Sequence, residues 1–271
     1  MKDLREVVNP ANQRTIQDSE LERKFFDQFI PHVIHPITGL QLHLFNYQAD
    51  AIHKFFRNQI SIWNMGRQVG KTSDAALLLA FLSRELRGDA VIASFRMEQS
   101  MDIIDWTKAW CRSCNDPTYA DNIMNNAATE ICFKTGFHCI AMPHGHAARG
   151  KSTILVITDE SELINDQDLA ALLPTGLATR PKRLHMGTVW GTNSWWWQFI
   201  QHADDRHYAL SHVTSEQALQ PNGPIIRTEL DRVLEEIGDL QYQQECLLRP
   251  IPDVDVFFGA DLVKSCLGER V

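Results

Sequence analysis

The sequence has no apolar run long enough to cross a bilayer. The longest, AALLLAFL at residues 75–82, falls far short of the roughly 20 residues that a spanning helix needs. Positive charge is also scarce: 26 Lys and Arg against 34 Asp and Glu leave a formal charge of −8. That balance speaks against a protein that coats itself with phosphate contacts, while leaving room for one that touches nucleic acid through a few basic residues on one face. There are no repeats and no low-complexity segment, and with 44% hydrophobic and 22% charged residues the chain lacks the composition of disorder. The opening MKDLREVVNP is charged without an apolar core, so no signal peptide is expected, and the chain should be soluble and intracellular.

Cysteine is sparse too, at six residues. Cys111, Cys114, Cys132 and Cys139 form C-x2-C followed by C-x6-C, with His138, His144 and His146 near them. A zinc site is conceivable on that count, but the second pair is spaced too widely for a knuckle. Cys111 and Cys114 also fall in DIIDWTKAWCRSC, an amphipathic helical pattern burying Ile103, Ile104, Trp106 and Trp110. Reduced core cysteines are the expected reading.

What is present is an alternation of short apolar strands and longer helical periods. Helices are expected within 21–36, over 45–58 and 73–86, around 100–114, possible over 162–172, and as one long helix over 227–248. Strands are expected at 59–64, 89–95, 152–160, 182–189 and 207–213, with a hairpin over 129–142 that turns at Thr135-Gly136. This order implies an α/β fold, a mostly parallel sheet with helices on both faces, whose ligands bind beyond the carboxyl ends of the strands. The expected organisation is an N-terminal arm or lid over 1–44, a phosphate-loop ATPase domain over 45–250 and a connector over 251–271.

One further absence lies inside a motif. The phosphate-binding pattern G-x-x-x-x-G-K-[ST] requires a glycine where Met65 stands, and the nearest glycine is Gly66. The loop Gly66-Arg67-Gln68-Val69-Gly70-Lys71-Thr72 nonetheless sits between an expected strand and a strong helix. Backbone N–H groups and the helix N-terminus do the cradling, so a lost turn glycine removes no phosphate ligand. Gly70 allows close approach, Lys71 supplies charge to the β- and γ-phosphates, and Thr72 offers a hydroxyl to Mg²⁺. The alternative is a G-K-T that merely opens a core helix. A working loop needs an acidic partner at the end of a neighbouring strand, and STILVITDE supplies it: Asp159 for the metal and Glu160 as acceptor of a proton from the attacking water. Asp-Glu could equally cap a following helix, a role compatible with catalysis.

Together these residues resemble the ATPase domain of large terminase subunits, the DNA-packaging motors of tailed bacteriophages, over about residues 40–250. The family's loop typically has the form x-R-Q-x-G-K-T, so the absent first glycine is usual there. The resemblance implies a P-loop fold of the RecA-like kind, ATP and Mg²⁺ as cofactors, and ATP hydrolysis coupled to movement of double-stranded DNA into a procapsid. It makes Tyr47-Gln48 similar to the adenine-sensing glutamine motif. HMGTVWGTNSWWWQF then resembles the coupling segment, with Thr188 after Gly187 as γ-phosphate sensor and Asn193 as a weaker candidate; Val189 departs from the family pattern. Trp195, Trp196 and Trp197 read as core or interface aromatics, with base stacking as the alternative.

The resemblance further implies that Arg149 in HAARGKST acts in trans on a neighbour's nucleotide, and that Arg67 acts within its own subunit. A trans-acting arginine implies a ring, a pentamer in the family, on a portal and with a small terminase subunit, in the cytoplasm of the host. Lys108, Arg112 and Lys134 lie between the two nucleotide motifs and are candidate DNA contacts. Large terminases usually carry a nuclease domain after the ATPase. Asp253, Asp255 and Asp261 are too few and too poorly placed to form one, so the chain is either truncated or an ATPase-only protein, with truncation the expectation. Two other functions stay open, a helicase-like translocase of another P-loop family and a non-hydrolysing nucleotide-gated interaction module. The first predicts a second RecA-like domain, the second the loss of Lys71 or Glu160.

Overall fold

In the computed structural model, residues 19–125, 127–143, 153–172, 174 and 179–251 are described. The apolar runs become the strands of one sheet: β1 (Ile60–Met65), β2 (Gly88–Ser94), β3 (Glu130–Cys132), β4 (Phe137–Pro143), β5 (Thr153–Asp159), β6 (Lys182–Gly187) and β7 (Ala209–Val213). Their order is β3-β4-β2-β5-β6-β1-β7, and every pairing is parallel except the β3–β4 hairpin at the edge. β2, β5 and β6 are buried for most of their length, which is why their sequences read as continuous apolar runs rather than alternating ones.

Alternation still decides which face each residue serves. Trp63 and Ile92 enter the main core, whereas their neighbours Ile62 and Val91 belong to apolar clusters elsewhere. The main core is covered by α2 (Asn46–Arg57), α3 (Lys71–Glu85) and α4 (Met97–Ser113), with the short α5 (Thr118–Asp121) beside them. α3 is buried from Asp74 to Ser83 without a break, a helix apolar nearly all round. Val91 and Val156 pack with Leu172 of α6 (Asp166–Leu172), and Ile62 packs with Trp196 and Ile200 of α7 (Trp195–Gln201). Of the three tryptophans, Trp196 is fully buried, while Trp195 and Trp197 are partly buried and pack against its cluster, the Trp195 indole N–H donating to the Ile164 carbonyl at 2.6 Å.

The segment expected to form an arm does more than drape over the surface. α1 (Ser19–Lys24) continues through a π-turn at Phe25–Phe29 and a 3-10 turn at Ile30–His32, where Pro31 ends the run. Leu21, Phe25, Phe29 and Val33 all lie in the main core, and the Phe25 ring stands 5.3 Å from Phe81 and 5.5 Å from Phe56. The buried side chains of residues 21–33 thus belong to the main core. A second difference concerns the last helix. α8 (Arg227–Glu245) is interrupted at Gly238, whose φ of 79° and ψ of 166° are not helical, so the single long helix read from periodicity is two segments. No helix among the described residues is long and apolar enough to cross a membrane.

Candidate functional site

β5, β6 and β1 lie side by side in parallel, and their carboxyl ends deliver Asp159, Gly187 and Met65 to one edge of the sheet. The loop after β1 closes on the N-terminus of α3. Gly70 adopts φ 102° there, and a Cβ would stand 3.0 Å from the Gln48 amide nitrogen, so both backbone shape and space require glycine. Gly66 is needed for a different reason. A Cβ there would lie 2.5 Å from Ser215 Oγ and 2.9 Å from the Ser215 backbone nitrogen, so the loop is pressed against the chain leaving β7.

Lys71 turns back into the loop. Its ammonium donates to the carbonyls of Met65 at 2.5 Å and Gly66 at 3.0 Å, and reaches Thr188 Oγ1 at 3.5 Å. Burial lowers its pKa, while the Asp159 and Glu162 carboxylates pull it up. Thr188 follows directly on β6 and is buried, with its hydroxyl donating to the Met65 carbonyl at 3.1 Å. Thr72 donates to Asp159 Oδ2 at 3.3 Å, and Asp159 Oδ1 accepts the Glu160 backbone N–H at 3.0 Å. Burial raises the Asp159 pKa, and the Lys71 charge opposes that. Arg67, Gln68, Lys71, Thr72, Asp159, Glu160, Glu162, Gly187 and Thr188 together line a polar cavity of about 250 Å³.

The remaining loop residues are also placed. Val69 is buried, and its carbonyl accepts the Tyr47 hydroxyl at 2.8 Å. Gln68 takes φ 58°. Arg67 pairs with Glu245 at the end of α8, Nε to Oε2 at 2.7 Å and Nη2 to Oε1 at 3.4 Å. A second cavity of about 380 Å³ shares Arg67 and Gln68 with the first and is walled mainly by α8, including Leu230 and Val233.

Gln48 does not present a free amide. Its Oε1 accepts the Phe45 backbone N–H at 3.0 Å, capping α2, and its Nε2 donates to Asp74 Oδ1 at 3.0 Å. Lys108 corrects an expectation: it is 4% exposed and its ammonium is bonded to the Asp105 carboxylate and the Ala127 carbonyl, so it faces the protein and not a DNA channel. Arg112, Lys134 and Asn193 are exposed and do not line the polar cavity. Arg149, His144, His146, Asp253, Asp255 and Asp261 lie outside the described residues. The four cysteines do not assemble. Cys111 and Cys139 are buried in the main core, with burial pushing the Cys111 thiol up to about 12, and among the described residues no metal-ligating group joins the four.

Two residues of the site carried no motif. Gln99, in the first turn of α4, accepts the Arg96 backbone N–H and donates its amide to Glu160 Oε2. Its only signal was a glutamine at the third position of a helix. Glu160 itself holds φ 47° and ψ 50°, a left-handed conformation unusual for this residue type and of the kind that clusters at functional sites. Glu162 packs over Gly187, where a Cβ would strike its Oε2 at 2.2 Å. That oxygen is buried without a hydrogen-bond partner, and burial raises the carboxyl pKa to about 8.

No protein-family model and no curated protein matches the chain. Solved structures do. The HK97 bacteriophage large terminase superposes with a TM-score of 0.63 at 16% identity, covering 91% of this chain and 52% of that one. The large terminase of the thermophilic bacteriophage D6E gives 0.63 at 12% identity, covering 78% and 54%. The ATPase domain of the Thermus phage P74-26 large terminase gives 0.59 at 16% identity, covering 79% and 95%. D6E structures in complex with ADP and with ATP-gamma-S match as well. The chain spans about half the length of the HK97 and D6E terminases, and at these identities the likeness establishes the fold.

Proposed function

We propose that this chain is an ATP-hydrolysing motor domain of the large-terminase type, one that drives double-stranded viral DNA into a procapsid. The observation that carries it is the meeting of Lys71, Thr72, Asp159 and Thr188 at the ends of three adjacent parallel strands, in a fold shared with terminase ATPase domains. The Thr72 hydroxyl and Asp159 carboxylate lie 3.3 Å apart, close to the edge of about 3 Å between neighbouring oxygens in an octahedral Mg²⁺ shell. Thr72 and Asp159 would hold Mg²⁺ there, and the ion would neutralise charge developing on the transferred phosphoryl group.

The chain's own residues supply the rest. The backbone of 66–72 and the α3 N-terminus receive the phosphates, and Lys71 turns from its carbonyl partners to the β- and γ-phosphates. Glu160 takes a proton from the attacking water, and Gln99 fixes its orientation. Thr188, bonded both to the loop and to Lys71, senses the γ-phosphate. Gln48 retains one N–H and one lone pair for an adenine edge beside those given to Phe45 and Asp74. Arg67 acts in its own subunit, swinging between Glu245 and the nucleotide, while Arg149 reaches a neighbour's nucleotide and so calls for a ring, a pentamer on a portal working with a small terminase subunit in the host cytoplasm. Arg112 and Lys134 remain candidate DNA contacts on exposure alone.

The test is ATP turnover per subunit against protein concentration, with and without double-stranded DNA, for the native chain and Arg149→Ala. A per-subunit rate that rises with concentration and is lost in the variant supports a motor completed by its neighbour. A flat rate that survives the substitution removes Arg149 and the ring from the mechanism.

A further inference from the structure

At the far edge of the sheet, strand register brings unlike donor groups onto one face. Asp89 on β2 pairs with His138 on β4, and His138 pairs with Cys132 on β3, so the three stand in a row across three strands. Glu130, two residues before Cys132, points to the same side. His138 Nε2 lies 3.2 Å from Glu130 Oε2, and its Nδ1 lies 3.5 Å from Asp89 Oδ1. Donor atoms of Glu130, Cys132 and His138 all fall within 4.8 Å of one another. Asn125 braces the cysteine twice, accepting its backbone N–H at 2.8 Å and donating to its sulfur at 3.5 Å. All four ligand-type side chains are partly exposed, so an ion can enter from solvent.

We propose that Glu130, Cys132 and His138 bind one zinc ion, with Asp89 orienting the imidazole from behind and a water in the fourth position. Zinc bonds to nitrogen and oxygen of about 2.0–2.2 Å place neighbouring ligands of a tetrahedron about 3.3 Å apart, and the His138–Glu130 separation already matches. The sulfur needs to close in by roughly 1 Å, within reach of a side-chain adjustment. A thiol beside an imidazole selects a zinc-class ion over magnesium or calcium. Asp89 Oδ1, 3.5 Å behind Nδ1, would close onto it to give the carboxylate–histidine arrangement typical of zinc sites, leaving the Nε2 lone pair to the metal.

The proton balance follows. Cys132 binds as the thiolate, so its thiol proton is released as the ion enters. Asp89 and His138 stand near the amino ends of β2 and β4, whereas the nucleotide residues stand at carboxyl ends, so the ion clips the edge hairpin and takes no part in hydrolysis. Cys139, one residue on, faces the core with Cys111, and for that reason a four-cysteine site does not form.

The experiment strips the full chain with chelator and titrates it with Co²⁺, then Zn²⁺. One equivalent of Co²⁺ should produce a sulfur-to-metal charge-transfer band with tetrahedral visible bands, bleached by Zn²⁺. Cys132→Ser, which keeps five other cysteines, should lose the charge-transfer band, and His138→Gln should weaken Zn²⁺ binding at least tenfold while keeping that band. Absence of the band, or its full survival in Cys132→Ser, overturns the site. If a variant does not fold, alkylation of Cys132 in the native protein decides: one equivalent of Zn²⁺ should slow it at least tenfold, and an unchanged rate overturns the site equally.

Discussion

Thr72 and Asp159, 87 positions apart in the chain, share a hydrogen bond of 3.3 Å at the mouths of β1 and β5. The two strands are not adjacent; β6 lies between them and contributes Thr188. A hydroxyl from the first turn of α3 and a carboxylate from the end of β5 thus meet where a hard cation and a phosphate chain would lie, with Lys71 beside them. Removing that lysine is the simplest check. Lys71→Ala should lower ATP turnover at least about 100-fold and weaken ATP binding in a fluorescent-nucleotide titration. Turnover within threefold of native would take Lys71 out of the site.

Glu160 and Gln99 should separate by degree. Glu160→Gln is expected to reduce kcat by roughly 10²–10⁴ while ATP still binds. Gln99→Ala leaves the carboxylate present but unanchored, so a smaller loss in kcat with KM little changed is expected. Steady-state kinetics of both variants checks the order, and a Gln99 variant as inert as the Glu160 variant would contradict it.

Glu162 gives a pH dependence with a defined sign. Its folded pKa of about 8 exceeds the ordinary 4.5, so between those values the folded protein holds more proton than the unfolded chain. The stability it contributes is therefore full at the acid end of that window and falls as pH rises through it. Urea unfolding at a series of pH values should show native stability declining relative to Glu162→Gln by more than about 1 kcal/mol between about pH 5 and 8. A constant difference would place the carboxylate in a solvated environment.

Phe81 tests whether residues before 45 belong to the body of the domain. Its ring stands 5.3 Å from Phe25 and 5.5 Å from Phe29, both contributed by that segment. Phe81→Ala should cost about 3–5 kcal/mol in urea unfolding, and Phe25→Ala a comparable amount. Loss of less than about 1 kcal/mol at Phe25 would mean that the segment packs only loosely.

Gly66→Ala probes the shifted glycine. The added methyl would meet Ser215 at 2.5 Å and 2.9 Å, and overpacking of this kind typically costs about 1–3 kcal/mol. Thermal unfolding and ATP affinity should both suffer. A neutral result would show that the loop can move away from β7 freely.

Much of the sheet was legible because fully buried strands cannot be written in other residues: AVIAS, ILVIT and the run after Gln59 each became a strand within a residue or two of the expected bounds. The long α8 was misread as continuous because Gly238 interrupts the backbone without disturbing the apolar spacing. Lys108 was misread because a charge in sequence carries no record of its partners; Asp105 and the Ala127 carbonyl are what allow it to be buried. Gln99 and Glu162 left almost no trace, since a side chain that orients or crowds a neighbour in the site needs only to be near it in space.

The sequence by itself determined the alternation of strands and helices, the loop at 66–72 and the acidic pair at 159–160. These follow from local rules: periodicity, the space a glycine leaves, and the dipole at a helix start. Tertiary structure alone decided that β6 separates β1 from β5, that Gln99 holds Glu160, that Arg67 rests on Glu245, and that Cys132 faces His138 while Cys139 faces away. Each of these depends on strand order and register, which are set when distant segments bury their surfaces together, and no short stretch of sequence encodes them.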